Sequence, residues 1–181
     1  MSNHRYKQVT GENLRDFILG AQDGIVNVLG LVLGVAAATF DTKIVLISGL
    51  AGLFAESISM GAVAFTSTKA AHDYYKVSKR KKEESLYENP FKIGMFVFWA
   101  TVIGSIVPIL PFFFIPVKTG IIASVALSGL ALFTIGYIKG KLTIGGWRSG
   151  VEMLLIGLIA AIAGYFIGIL LGRIIGMPVI G

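Results

Sequence analysis

Two acidic side chains and a methionine lie inside long apolar stretches of this chain. Asp23 falls within residues 17–39 and Glu56 within residues 44–66. A charged carboxylate at the bilayer centre costs at least about 2.5 kcal/mol, so such groups usually face a protein interior or an ion path. Met60 follows Glu56 by four residues, which places both on one face of a helix. A carboxylate oxygen and a thioether sulfur on one buried face indicate a transition-metal cation.

Each of these residues also has a purely structural interpretation. Asn27 follows Asp23 by one helical turn and adds a second oxygen-bearing side chain to the same face, as a lower-ranked metal ligand. Asp23 could instead bond Asn27 or a neighbouring helix for packing alone, and Glu56 could make a structural hydrogen bond to Ser57, Ser59 or another helix. Met60 taken by itself is more often a packing residue than a ligand.

The composition predicts an all-α integral membrane protein. Hydrophobic residues make up 55% of the 181 and charged residues only 14%, and the mean hydropathy is +0.79. A soluble domain of this length would carry about 25% charge. About 20 apolar residues are needed to cross a bilayer. Five segments in a single domain spanning residues 1–181 reach that length: 17–39, 44–66 (continuing as helix to about 72), 93–115, 117–138 and 151–171.

Several residues predict where these helices begin and end. Asp41 precedes the second segment as a helix cap, and Asn89-Pro90 precedes the third. Pro108 and Pro111 predict a kink or an end near the far side of the third segment. Residues 73–89 then form a short charged linker between the second and third spans.

The basic residues predict the orientation. Three of the 16 Lys and Arg residues (Lys43, Lys118 and Arg173) would lie on one side of the membrane and the other thirteen on the opposite side. Positive residues favour the cytoplasm, so we expect a cytoplasmic N-terminus and linker and a C-terminus outside. The net charge of +6 is then explained by topology rather than by nucleic acid, since no basic stripe alternates with aromatic residues.

The sequence offers no catalytic constellation. It has no cysteine, which excludes disulfides and thiolate metal sites. Gly-x-Ser-x-Gly, His-Glu-x-x-His and a phosphate-binding loop with lysine are also missing. We therefore expect neither an enzyme nor a bound cofactor.

Glycines recur every four residues on one face of the fifth helix, at Gly164 and Gly168 and, just past the span of residues 151–171, at Gly172 and Gly176. Small residues at this spacing let two helices approach closely in lipid. The stripe has two interpretations, tight packing inside one protomer, which we favour, or a seam between two copies.

The number of ligands favours a homodimer. Asp23, Glu56 and Met60 supply three ligands at most, fewer than a six-coordinate cation needs. A two-fold axis along the first helices would double them to four carboxylates and two thioethers. The carboxylates of Asp23 and Glu56 can hold either a metal ion or a proton, which is a physical basis for exchange of metal against protons.

Four sequence motifs resemble those of the vacuolar iron transporter family, which includes manganese transporters. They are Leu14-Arg15-Asp16 followed by residues 20–24 (GAQDG), residues 58–61 (ISMG), residues 108–111 (PILP) and residues 136–140 (GYIKG). The resemblance implies a five-helix homodimer that exports Fe²⁺ or Mn²⁺ from the cytoplasm while protons move inward. It also implies that Asp23 and Met60 line the path at the dimer axis.

The chain departs from that family in three ways. Gly52 stands where eukaryotic members have a glutamate two turns before the methionine, and Thr101 stands where some have a tyrosine. Residues 73–89 are too few for the glutamate-rich cytoplasmic domain of those members, although Glu84 and Glu88, one turn apart, could form a rudimentary capture site. A short form of this kind suits a prokaryotic plasma membrane.

Two other functions fit the same residues. One is a divalent-metal channel without proton coupling. The other is a dimeric scaffold or regulatory module that transports nothing, whose buried carboxylates only hold helices together.

Overall fold

Five long helices form the protein in the computed structural model, which describes residues 2–78, 89–143 and 145–177, with side chains from Leu14 onward. They are α1 (Ser2–Thr39), α2 (Thr42–Val77), α3 (Pro90–Ile109), α4 (Val117–Leu142) and α5 (Trp147–Ile175). All five are long and apolar enough to cross a membrane, and the described residues contain no strand. The predicted all-α membrane class is therefore confirmed.

Capping side chains set the starts of α2 and α3. The Asp41 carboxylate accepts hydrogen bonds from the backbone N–H groups of Lys43 and Ile44, at 2.7 and 3.3 Å. Asn89 accepts one from the N–H of Lys92 at 3.2 Å, and Pro90 takes a first-turn position where no N–H is needed. Both predicted caps are confirmed.

The prolines end α3 earlier than its predicted span. The α-helix stops at Ile109 instead of reaching residue 115, and a 3-10 turn, Leu110–Phe113, follows. Pro111 lacks the N–H that would continue the α-helical hydrogen bonding. The other helices run past their predicted spans, and α2 continues to Val77, five residues into the expected linker.

Helix α1 lies at the centre of the bundle and contacts all four other helices. Val28 and Val32 pack in one apolar cluster with residues of α2, α3 and α4, including Val45 and Ile109. Leu29 and Leu33 pack on another side against Ala161 of α5 and its neighbours. The remaining exposed face of α1 carries Leu19, Asn27 and Leu31, and we call it the open face.

Glycines bring α5 against α1 within the protomer. Gly164 and Gly168 pack directly on the backbone of Gly30 and Gly34, and a Cβ atom on Gly34 would lie 2.9 Å from the Gly164 carbonyl oxygen. The within-protomer interpretation of this stripe is therefore confirmed for Gly164 and Gly168. Gly176 serves differently, since it ends α5 in the left-handed conformation with φ 78°.

Candidate functional site

A hydrogen bond joins the polar residues of α1 and α2. The Asn27 side chain donates from Nδ2 to Glu56 Oε1 at 2.9 Å. The Asp23 carboxyl group lies beside both side chains and interacts with each of them. We call Asp23, Asn27 and Glu56 the polar layer. The structure thus brings three of the candidate residues together, although 29 positions separate Asn27 from Glu56.

The register of two antiparallel helices brings these residues together. A tight turn connects α1 to α2 at Phe40, which adopts a positive φ of 54°, and Asp41. Candidate residues recur every four positions on each helix, so they form one stripe per helix. Met60 lies half-buried on α2, one turn beyond Glu56 and on the side away from the α1–α2 turn. It is placed as its spacing predicts.

Asp23 is accessible from the surface of the protomer. It lines a cleft of about 210 Å³ between α1 and α5, together with Leu19, Gln22, Val26 and Ile156. Asp23 and Glu56 are both half-buried, and Asn27 is exposed. The polar layer therefore opens onto the open face of α1 instead of lying sealed inside the helix bundle.

One protomer supplies few ligands. Within the described ranges, no group of three or more His, Cys, Asp or Glu side chains could hold a metal ion. Asp23 and Glu56 provide two carboxylates, to which the Asn27 amide oxygen and the Met60 sulfur could add. Glu84 and Glu88 lie outside the described residues.

The structure shows what surrounds two positions where the chain departs from the resembled family. Thr101 is fully buried, and its hydroxyl donates to the Val97 carbonyl oxygen of its own helix at 2.9 Å. It packs against Gly20 on a side of α1 away from the open face. Gly52 lies on α2 one turn before Glu56, and the Leu31 side chain covers it.

Asp16 is an acidic residue that sequence reasoning did not place among the candidates. It lies seven residues before Asp23 and is only 9% exposed. Its carboxylate is 3.8 Å from the Arg15 guanidinium, and it lines a small cleft with Lys92, Ile93 and Phe96 of α3. The two-turn spacing from Asp23 was the signal that could have identified it.

Glu56 does not bond the serine that follows it. Ser57 is fully buried, and its hydroxyl has no hydrogen-bond partner in the described part of the chain. Glu56 instead accepts a hydrogen bond from Asn27 of α1, so a bond to another helix is the structural alternative that the geometry retains. This removes the neighbouring serine at position 57 as a structural reason for the glutamate.

Comparison with known proteins identifies similar chains over most of this sequence. The VIT family model matches residues 14–93 and 82–169. Vacuolar iron transporter 1 of Tulipa gesneriana is 28% identical over 222 aligned positions, covering 91% of this chain and 90% of that protein. Vacuolar iron transporter homolog 4 of Arabidopsis thaliana is 31% identical, covering 74% and 77%. An uncharacterized protein of Methanocaldococcus jannaschii is 28% identical, covering 75% and 78%.

The alignment with the tulip protein also explains the length of this chain. Its 222 positions exceed the 181 residues present here, because the relative carries residues that this chain lacks. The chain is therefore a short form without the extra domain.

Proposed function

We propose, since this chain belongs to the VIT family, that it exports a divalent transition metal from the cytoplasm in exchange for protons. The observation that carries the proposal is the contact of Asp23, Asn27 and Glu56 between two membrane-spanning helices. Fe²⁺ is the first candidate, because the named relatives are iron transporters, and Mn²⁺ is the second.

The ligand types suit such an ion. Asp23 and Glu56 offer hard carboxylate oxygens, Asn27 offers an amide oxygen, and Met60 offers a soft sulfur one turn along α2. Mixed oxygen and sulfur ligands favour first-row transition metals over Mg²⁺ and Ca²⁺, which prefer oxygen alone.

The contact between the carboxyl groups of Asp23 and Glu56 supports the proposed proton coupling. When both Asp23 and Glu56 are ionised they repel each other, and a cation between them relieves that repulsion. Either a metal ion or a proton can relieve this repulsion, and binding of one prevents binding of the other. Competition at the polar layer would therefore link metal movement in one direction to proton movement in the other.

We propose that two copies assemble through the open face of α1. A two-fold axis along this face would bring two polar layers together and double every ligand. Support comes from the surface position of Asp23 and from the small number of ligands that one protomer supplies.

The proposed setting is a prokaryotic plasma membrane with the N-terminus in the cytoplasm. The excess of Lys and Arg on the side of the N-terminus and the linker supports this orientation. A methanogen relative supports a prokaryotic setting. Glu84 and Glu88 of the linker would then face cytoplasmic metal as a rudimentary capture site.

The first test is metal uptake into liposomes that contain the purified protein and a metal-sensitive dye. Asp23→Asn keeps the shape of the side chain but removes its charge, and we expect Fe²⁺ or Mn²⁺ uptake to fall at least about tenfold, because the cation loses an anionic oxygen ligand. Asp41→Asn makes the same chemical change at the α1–α2 turn and should transport normally, because asparagine caps a helix as well as aspartate.

The outcomes separate the alternatives. Uptake by Asp23→Asn at the wild-type rate would place the path elsewhere. A well-assembled wild-type protein that moves no metal would favour the scaffold or regulatory module. Gel filtration of both variants checks that assembly is unchanged.

A further inference from the structure

Leu31 and Gly52 form an apolar layer next to the polar layer. Leu31 follows Asn27 by one turn of α1, and Gly52 precedes Glu56 by one turn of α2. A Cβ atom built on Gly52 would overlap the Cδ2 atom of Leu31. In this conformation Leu31 occupies the space that a side chain at position 52 would fill.

This apolar layer lies on the side of the α1–α2 turn. Each residue of a helix rises 1.5 Å, so the apolar layer, four residues away on each helix, is about 6 Å from the Asn27–Glu56 hydrogen bond along the helix axes. In the proposed orientation this is the non-cytoplasmic side of the polar layer.

Two separate openings lie along α1, and Leu31 lines only the second of them. The cleft beside Asp23 contains Val26 but not Leu31. A second groove of about 370 Å³ begins at Gly30 and Leu31 and continues between α1, α2 and α5 past Ser48. Neither Asp23, Asn27 nor Glu56 lines this groove, so Leu31 stands between the polar layer and the groove.

We propose that Leu31, lying on Gly52, is the seal that separates the polar layer from the side of the α1–α2 turn. The inference rests on the proposed transport function, for which it names the residue that must move to release the ion. An apolar constriction blocks ions because water does not fill it. A two-fold axis parallel to the membrane normal keeps equivalent residues at equal depth, so both copies of Leu31 would contribute to one layer.

Leu19 provides a matched control. It lies on the open face of α1 three turns before Leu31, on the other side of the polar layer. The two leucines are similarly exposed, at 46% and 40%. If leucines on this face serve only for contact with lipid or a second copy, shortening either one should have the same effect.

The seal can be tested by cysteine labelling, which requires no transport. The chain has no cysteine of its own, so each variant carries a single thiol. Val26→Cys places it in the cleft beside Asp23, and Ser48→Cys places it in the groove beyond Leu31. A membrane-impermeant maleimide is added to vesicles only on the side of the α1–α2 turn.

We expect the thiol at position 48 to react in every background. The thiol at position 26 should react slowly in the otherwise unchanged protein and at least about tenfold faster with Leu31→Ala, because water then reaches the polar layer. Leu31→Met, which keeps the volume, and Leu19→Ala should leave the slow rate unchanged. Gel filtration confirms that each variant is assembled.

The seal would be overturned if the thiol at position 26 reacted equally fast with leucine and with alanine at position 31. It would also be overturned if Leu19→Ala accelerated this reaction as much as Leu31→Ala. Metal uptake by the same proteins keeps the two proposals apart. If the wild-type protein transports metal but the thiol at position 26 reacts no faster with Leu31→Ala, the seal is contradicted and the proposed function is not. A protein that transports no metal contradicts the proposed function, whatever its labelling shows.

Discussion

Single residues decide which ion the polar layer would accept. Carboxylate oxygens also suit Mg²⁺ and Ca²⁺, so selection of Fe²⁺ over these two ions needs a softer ligand. Met60 is that ligand in the proposed site. The hydrogen bond from Asn27 engages one oxygen of Glu56, so the other oxygen of that carboxylate would be the one to bind the ion in the proposed site.

Met60→Leu should therefore change selectivity more than rate. Leucine keeps the volume and removes the sulfur, so we expect Mg²⁺ and Ca²⁺ to compete more strongly with Fe²⁺ and Co²⁺ for uptake. The control is Met95→Leu, since Met95 is an exposed methionine of α3 that lines a different, apolar groove. If the Met60→Leu competition profile matches both the control and the wild type, Met60 is a packing residue.

Residue types and short spacings were readable from the sequence, whereas contacts between helices were not. Asp23, Glu56 and Met60 are conspicuous because polar groups are costly among apolar residues. The bond between Asn27 and Glu56 depends on the register of α1 against α2. The covering of Gly52 by Leu31 depends on the same register, so neither could be predicted from spacing within one helix.

At the scale of helices, the packing of α5 on α1 depends on glycine. The two backbones approach closely at Gly34 and Gly168, where no side chain fits. Gly168→Val should lower the thermal unfolding midpoint in detergent by several degrees, because the added carbons must push the helices apart. Ala163→Val on the exposed side of α5 is the control and should leave the midpoint nearly unchanged. Equal midpoints for the two variants would contradict the close packing.

Helix ends were easier to predict than helix faces. Asp41, Asn89 and the prolines act on the adjacent backbone, so the sequence predicts their effect directly. The spans themselves are apolar on nearly every side, and periodicity then does not tell which side packs and which meets lipid. For this reason the glycine stripe of α5 had two interpretations until the position of α1 was known.

At the scale of the whole molecule, the open face of α1 should be the contact between two copies. A disulfide forms only where two Cα atoms come within about 7 Å, and a two-fold axis brings the same residue of both copies together. Oxidation of Leu19→Cys should therefore give a covalent dimer on a non-reducing gel. Ile122→Cys on α4, which is 70% exposed, should not. The reverse result would place the two-fold axis on another face.

The most direct test of the whole account is a liposome assay that reads a metal dye and a pH dye together. We expect wild-type protein to move metal one way and protons the other. A more acidic solution on the side that receives the metal should accelerate metal movement, because protons then run down their own gradient. Glu56→Gln keeps an acceptor for Asn27 but cannot exchange a proton, so it should stop metal flux or uncouple it from pH. Metal flux that moves no protons and ignores the pH gradient would contradict exchange and leave an uncoupled channel.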